Sequence, residues 1–333
     1  MKKAVALFMC ILLIFSFGAC SNKENEDEEK EKITVCLDWT PNTNHTGLYV
    51  AAAKGYYEEA GLDVEIVQPP ENEAVLMCAM GQAQFAVDAQ DTLAASLAQE
   101  NPLGVTAVAA IMQHNTSGII SRKGENIDTP KGLEGKRYST WNSPIEKAII
   151  KEVVENDGGD FEKVTLIPNV FNDEAGALKN KDTDAIWIFY GWGGINAKLN
   201  GLDFDYFNFV DIDSKFDYYT PVLISNNDYL ETSPEKAKAF LEATKKGYTY
   251  ASENPEEAAK ILVESDTTGS LKGSEDFVIE SQKWISKQYI ADAKEWGTIE
   301  AERWDGFYKW LFENGLIEKE LPAGTGFSNE YLG

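Results

Sequence analysis

Strand and helix patterns alternate twice along this chain with almost no slack, and then the strands stop. ITVCLDW reads as a strand, HTGLYVAAAKGYYEEAG as an amphipathic helix stopped by Gly61, and DVEIVQP as a second strand. ENEAVLMCAMGQ, FAVDA, DTLAASLAQE and VTAVAAIM continue as helix, strand, helix and strand, with Asp91 read as the N-cap of the second helix. This grammar predicts a largely parallel sheet covered by helices, an α/β architecture. After GIISRKG comes a turn-rich seam with Pro130, Gly132 and Gly135, and then a second alternating block: KRYST, a helix from Pro144 to Asn156, KVTLIPN, a helix around Asn172 to Lys179, AIWIFY and YFNFVDI. PVLISNNDYL is strand-like, and beyond Ser233 the text is almost wholly helical at three-and-four spacing.

Two strand-rich blocks and a helical tail predict two lobes, with the tail returning onto the first. We expect lobe I over 33–119 and 225–333, lobe II over 120–224, and crossings near Ile119–Gly124 and Tyr219–Asn226. A double crossing leaves a cleft walled by strand C-terminal ends, the usual ligand position in open α/β sheets.

The first 19 residues stand apart. MKK is a positive start, AVALFMCILLIFSF an apolar run too short to span a bilayer comfortably, and FGAC a small-residue cleavage site. A cysteine after Gly18-Ala19 resembles a bacterial lipobox, with Phe17 in place of the usual Leu, and marks Cys20 for lipidation. Residues 20–32 are dense in charge and poor in apolar side chains, which predicts a disordered tether. Together these features point to an exported chain, lipid-anchored on the outer face of the cytoplasmic membrane. A formal charge of −25 argues against nucleic acid and anionic lipid surfaces as partners. Of the four cysteines, Cys36 and Cys78 fall within the fold, and we read them as buried thiols.

The stretch LDWTPNTNHTGLY carries the most chemistry. Pro41 ends the strand, Trp39 is placed to stack on a flat ring, and Asn44 is the expected cap of the following helix. That leaves Asn42 and His45 as candidate hydrogen-bonding groups. Further candidates stand at other strand ends: Asp88 and Gln90 after FAVDA, His114 and Ser117 after VTAVAAIM, Tyr190 and Trp192 after AIWIFY, and Tyr219 at the second crossing. A core role competes for each aromatic and a capping role for Asp91. His45 and His114 have no third ligand to complete a metal site, so no metal or cofactor is expected. No Gly-x-Ser-x-Gly elbow, Walker loop or His-Glu-x-x-His is present.

LDWTPNTNHTGLYVAAAKGYYEEAGLDVEIV, FAVDAQDTLAA, HNTSGIISRKG, GLEGKRYSTW, FYGWGG and DYYTPVLISNNDYLETSPEK together resemble the family of thiamine-pyrimidine-precursor binding proteins, receptors of an importer. That family also contains the fungal pyrimidine-synthesising enzymes. The resemblance implies a two-lobed type II periplasmic-binding-protein fold closing on a small heteroaromatic ligand, a membrane permease of the ABC class as partner, and a monomer. It leaves open riboflavin or thiamine as the ring. The fungal enzymes carry a cysteine-rich run where this chain has DYYTPV, and a lysine and a histidine where it has Val87 and Asp91; their absence argues against synthesis. Receptors of the family often read Gly-Trp-Glu-Gly where this chain reads Gly191-Trp192-Gly193-Gly194, which suggests extra room for the ligand there.

Overall fold

The computed structural model describes residues 30–68 and 74–333. The expected leader, Cys20 and most of the tether lie outside the described residues. The tether's expected end is too late, because Glu31 and Lys32 already pair with Leu62 and Asp63.

Among the described residues, ten strands form two separate five-stranded sheets. The first holds β1 (Glu31–Cys36), β2 (Leu62–Val67), β3 (Phe85–Asp88), β4 (Val105–Ala110) and β10 (Val222–Asn226) in the order β2-β1-β3-β10-β4. The second holds β5 (Ser117–Arg122), β6 (Arg137–Thr140), β7 (Thr165–Pro168), β8 (Ala185–Phe189) and β9 (Phe204–Asn208) in the order β7-β6-β8-β5-β9. The crossings therefore run over 111–116 and 209–221, several residues before the expected positions. Ile119–Arg122 is already inside the second sheet and Val222–Asn226 inside the first. Neither sheet is wholly parallel: β10 runs antiparallel to β3 and β4, and β5 antiparallel to β8 and β9. The cause is the route, since a strand that enters a sheet from the other lobe arrives from the cleft side and runs against its neighbours.

The single helix expected over 45–61 forms as two α-helical pieces: α1 (Thr46–Ala53), then, after Gly55 at φ +75°, a short turn of helix at Tyr56–Glu59. Six consecutive residues of α1, Thr46 to Ala51, are buried, so it is a core helix and not an amphipathic surface one. The tail explains this. Helices α5 (Pro234–Glu253) and α6 (Pro255–Ser265) return over α1, and Gly47 and Gly247 let α1 and α5 touch backbone to backbone. A Cβ at Gly247 would sit 2.0 Å from the Gly47 carbonyl oxygen, and one at Gly47 would enter the Tyr248 ring. Tyr248 in turn stacks on Trp296 at 4.5 Å, and Phe240 on Phe85 at 4.0 Å. On the opposite face of the first sheet lie α2 (Gln90–Leu97) and α8 (Ala301–Glu313), whose Trp304, Phe307, Tyr308 and Trp310 fill the core. In the second sheet, α3 (Pro144–Asn156) matches its expected bounds, and α4 (Glu174–Asn180) follows β7.

Cys36 and Cys78 are both buried and unbonded to each other. Burial pushes the Cys36 thiol up to about 11 and raises that of Cys78 as well, so both stay protonated and unreactive at neutral pH.

Candidate functional site

The loop that leaves β1 turns its polar groups inward on one another. Asn42, not Asn44, caps the next turn: its Oδ1 accepts from the Asn44 N–H at 2.8 Å, while its amide donates to the Thr40 carbonyl at 3.0 Å. His45 is fully buried. Its Nδ1 accepts from the Asn42 N–H at 3.3 Å, which leaves Nε2–H to donate to Asp38 at 2.7 Å. His45 is thus a positioning residue, and Asp38 is the group it presents. The same loop leaves Trp39 standing out, 55 % exposed.

Opposite this loop lies the end of β8. Tyr190–Gly194 forms a single π-helical turn tied to the tail helix α7 (Glu275–Ile285), where Ser281 donates to the Gly191 carbonyl at 2.5 Å. Trp192 rests edge-on against Phe277 at 4.5 Å. Between the two walls is a cavity of about 310 Å³. Asp38, Trp39, Asn42 and Asn44 line it from lobe I, Thr116 from the first crossing, and Glu174, Trp187, Phe189 and Trp192 from lobe II. Three indoles and two carboxylates therefore face one small volume.

Three of the expected site residues line that cavity, namely Trp39, Asn42 and Trp192; His45 stands behind it. Tyr190 and His114 instead line a larger cavity of about 580 Å³ toward β9, together with Thr116, Tyr206, Asn208 and Trp284. Tyr190 packs there against Tyr206 and Trp284, each at 5.1 Å. His114 clasps the crossings, with Nδ1 on Asp217 at 2.7 Å and Nε2 on Asp292 at 2.9 Å; Asp217 also accepts from the Asn115 N–H. Those carboxylates, Asp217 first, raise the His114 pKa.

Four expected ligand contacts are corrected. Gln90 is buried and structural, because its Oε1 accepts from the Tyr219 N–H at 2.9 Å and its amide donates to the Trp304 carbonyl at 2.9 Å. Tyr219 is fully buried, its hydroxyl accepting from the Glu300 N–H at 2.9 Å. Ser117 is buried and bonded to Asn115 Oδ1 at 2.7 Å. Asp88 lines neither cavity. Its Oδ1 accepts from the Ala89 N–H and the Thr92 hydroxyl at the start of α2, where no side chain caps the helix and Asp91, the expected cap, sits inside the first turn. Its Oδ2 is buried without a partner, and burial pushes its carboxyl up to about 7. Asp91, likewise desolvated, is pushed up to about 6.

The room expected at Gly193 is absent as well. A Cβ there would lie 2.9 Å from Ile188 Cβ and Cγ2, so the glycine is filled by its neighbour and not by ligand space. Asp38, Trp187 and Glu174 are the site residues that sequence reasoning missed. Trp187 carried a usable signal, since the alternation in AIWIF turns it to the face opposite Ile186 and Ile188. No group of three or more His, Cys, Asp or Glu among the described residues is arranged to hold a metal.

The comparisons with known proteins agree with this architecture. The family model described as NMT1/THI5 like matches residues 42–258. The chain belongs to that family. It is similar to the formylaminopyrimidine-binding protein of Halalkalibacterium halodurans, at 30% identity over 330 residues, 99% of each chain. It is also similar to a 4-amino-5-hydroxymethyl-2-methylpyrimidine phosphate synthase of Legionella pneumophila, at 26% identity over 316 residues, 91% of this chain and 93% of that one. Among solved structures, the periplasmic aliphatic sulphonate binding protein SsuA of Escherichia coli superposes with a TM-score of 0.65 at 13% identity, covering 87% of this chain and 95% of that one. At that identity the likeness speaks for the fold, which is the two-lobed type II periplasmic-binding-protein fold. Relatives of the chain are thus named both as a binding protein and as a synthase.

Proposed function

We propose that this protein is an extracellular solute-binding lipoprotein of an ABC importer, and that it takes a thiamine pyrimidine precursor of the formylaminopyrimidine or hydroxymethylpyrimidine type. One observation carries the reading: Trp39 projects from lobe I into a cavity of about 310 Å³ whose far wall holds Trp187 and Trp192. Indoles on opposing lobes are suited to clamp a flat ring, and the volume is at the small end of ligand pockets. Binding needs no chemistry. Open lobes admit the ring, closure brings the indoles onto it, and the closed form is what a permease reads. The ligand drives closure only as far as it binds the closed form better than the open one.

Synthesis is the competing reading, since relatives carry that name. Val87 and Asp91 stand where the resemblance places a lysine and a histidine, so this chain lacks the amine nucleophile such chemistry uses. A lipid on Cys20 would hold the protein, as a monomer, on the outer face of the membrane. No described helix is long and apolar enough to cross it.

The test is a fluorescence titration with a formylaminopyrimidine and a hydroxymethylpyrimidine. Wild type should show tryptophan quenching with saturation, and Trp39→Ala should lose about 2 kcal/mol of affinity, roughly thirty-fold. Absence of any response to either ring, or full affinity in Trp39→Ala, would sink the reading.

A further inference from the structure

Several carboxylates of lobe II are paired within the fold. Asp184 accepts from both Arg122 and Arg137 at 2.9 Å, Glu146 from the Tyr138 hydroxyl at 2.6 Å and the Thr140 hydroxyl at 2.7 Å, and Asp205 is bound by Lys123. Glu174, in the first turn of α4, is partly buried and lines the small cavity with the indoles, and its side chain makes no hydrogen bond or ion pair with any other described residue. Burial raises its pKa, and the neighbouring charge of Asp173 adds to the rise. A carboxylate held beside apolar rings is costly unless something donates to it. Two polar atoms at the same cavity's lining residues are buried and orphaned: Thr116 Oγ1, on a residue 5% exposed, and Trp187 Nε1, on one 7% exposed. The two orphaned atoms, on a cavity that also holds a carboxylate bonded to no other residue, mark a site whose hydrogen bonds are completed by a ligand.

Resting on the reading of this cavity as the ring site, we propose that Glu174 is the specificity-determining residue that selects a ring bearing an exocyclic amine. Asp38 and Glu174 line one volume from opposite lobes, so a heteroaromatic with N–H donors on its edge is met by an acceptor on each side. A carboxylate accepts such a donor more strongly than a neutral acceptor does. A ring without the amine takes water from the partly buried Glu174 and gives it no donor in return, and that loss supplies the discrimination. The Gly193 backbone, closed off by Ile188, has no side chain to do this work, which leaves Glu174 as the carboxylate of the lobe II wall.

The experiment is a calorimetric titration of wild type, Glu174→Gln and Glu174→Asp with two probes. One is a 4-amino-5-formylaminomethyl-2-methylpyrimidine, and the other is the same ring with hydrogen in place of the 4-amino group. Wild type should prefer the amine ring at least about tenfold. Glu174→Gln should lose most of that preference, the two affinities converging, and Glu174→Asp should regain part of it. A merely structural role would weaken both rings together and leave the ratio intact, which would overturn the inference. So would a wild type that binds both rings equally, with the ring site itself standing. A wild type that binds neither ring would overturn the ring site and this inference together.

Discussion

The two walls of the small cavity are built on opposite plans. The lobe I wall is closed on itself: Asn42 caps its own turn, His45 is held by Asn42 and holds Asp38, and Trp39 stands out beside Asp38. The lobe II wall is packed in its backbone but open in its polar groups, with Gly193 filled by Ile188 and the Glu174 side chain without a partner. A wall whose hydrogen bonds are already made is preorganised, so it places its aromatic ring and carboxylate without further ordering cost. A wall with unmade bonds is where one ligand is told from another.

The largest expected effect breaks the first plan. His45→Ala removes a fully buried ring and leaves Asp38 without its donor, and should cost about 3 kcal/mol in urea unfolding and weaken ring binding as well. Unchanged stability would mean the loop does not depend on this clasp. Next, Gly193→Glu tests the second plan. The new Cβ must displace Ile188, so we expect a loss of roughly 1–3 kcal/mol, partly recovered in the double variant with Ile188→Ala. Full stability in the single variant would show that the π-turn has the room denied here.

The carboxylates sharpen the contrast through pH. In lobe II, the bonds from Arg137 and Arg122 outweigh burial and hold Asp184 well below the usual range. A depressed folded pKa contributes stability above the unfolded value near 3.9 that is lost as pH falls through the folded one. Acid melts of wild type should therefore steepen below about pH 4, and Asp184→Asn should abolish that component. In lobe I, the sign is reversed for Asp88. Its folded carboxyl titrates near 7 against about 3.9 in the unfolded chain, so stability is fullest below pH 4 and falls as pH rises toward 7. Asp88→Asn should be the smallest perturbation at pH 5, costing about 1 kcal/mol or less there and flattening thermal stability between about pH 4 and 7. Parallel pH curves for wild type and variant would break the assignment.

Much of the architecture was legible because hydrophobic period is local. The alternation of strand and helix, the helix from Pro144 to Asn156 and the helical tail all follow from side-chain spacing within a dozen residues. The crossings were misplaced because nothing within Ser117–Arg122 says which sheet will accept it; strand pairing is settled by partners far along the chain. The site was half legible for a related reason. Trp39 and Trp192 stand beside a proline and a run of glycines that announce loops, whereas Gln90, Ser117 and Tyr219 look equally polar in sequence but spend their groups on each other or on near neighbours. Hydrogen-bond accounting, which separates a free group from a satisfied one, needs three-dimensional partners.

The sequence by itself determined that there would be two α/β units, a tail of helices, and an aromatic loop after the first strand, because these depend on period and on Pro41. Tertiary structure alone decided that His45 would serve Asp38, that Asn42 would take the cap, and that Glu174 would be left unpaired. Each of those outcomes is set by which atoms remain within hydrogen-bond reach once two lobes have packed, and reach is a property of the folded chain.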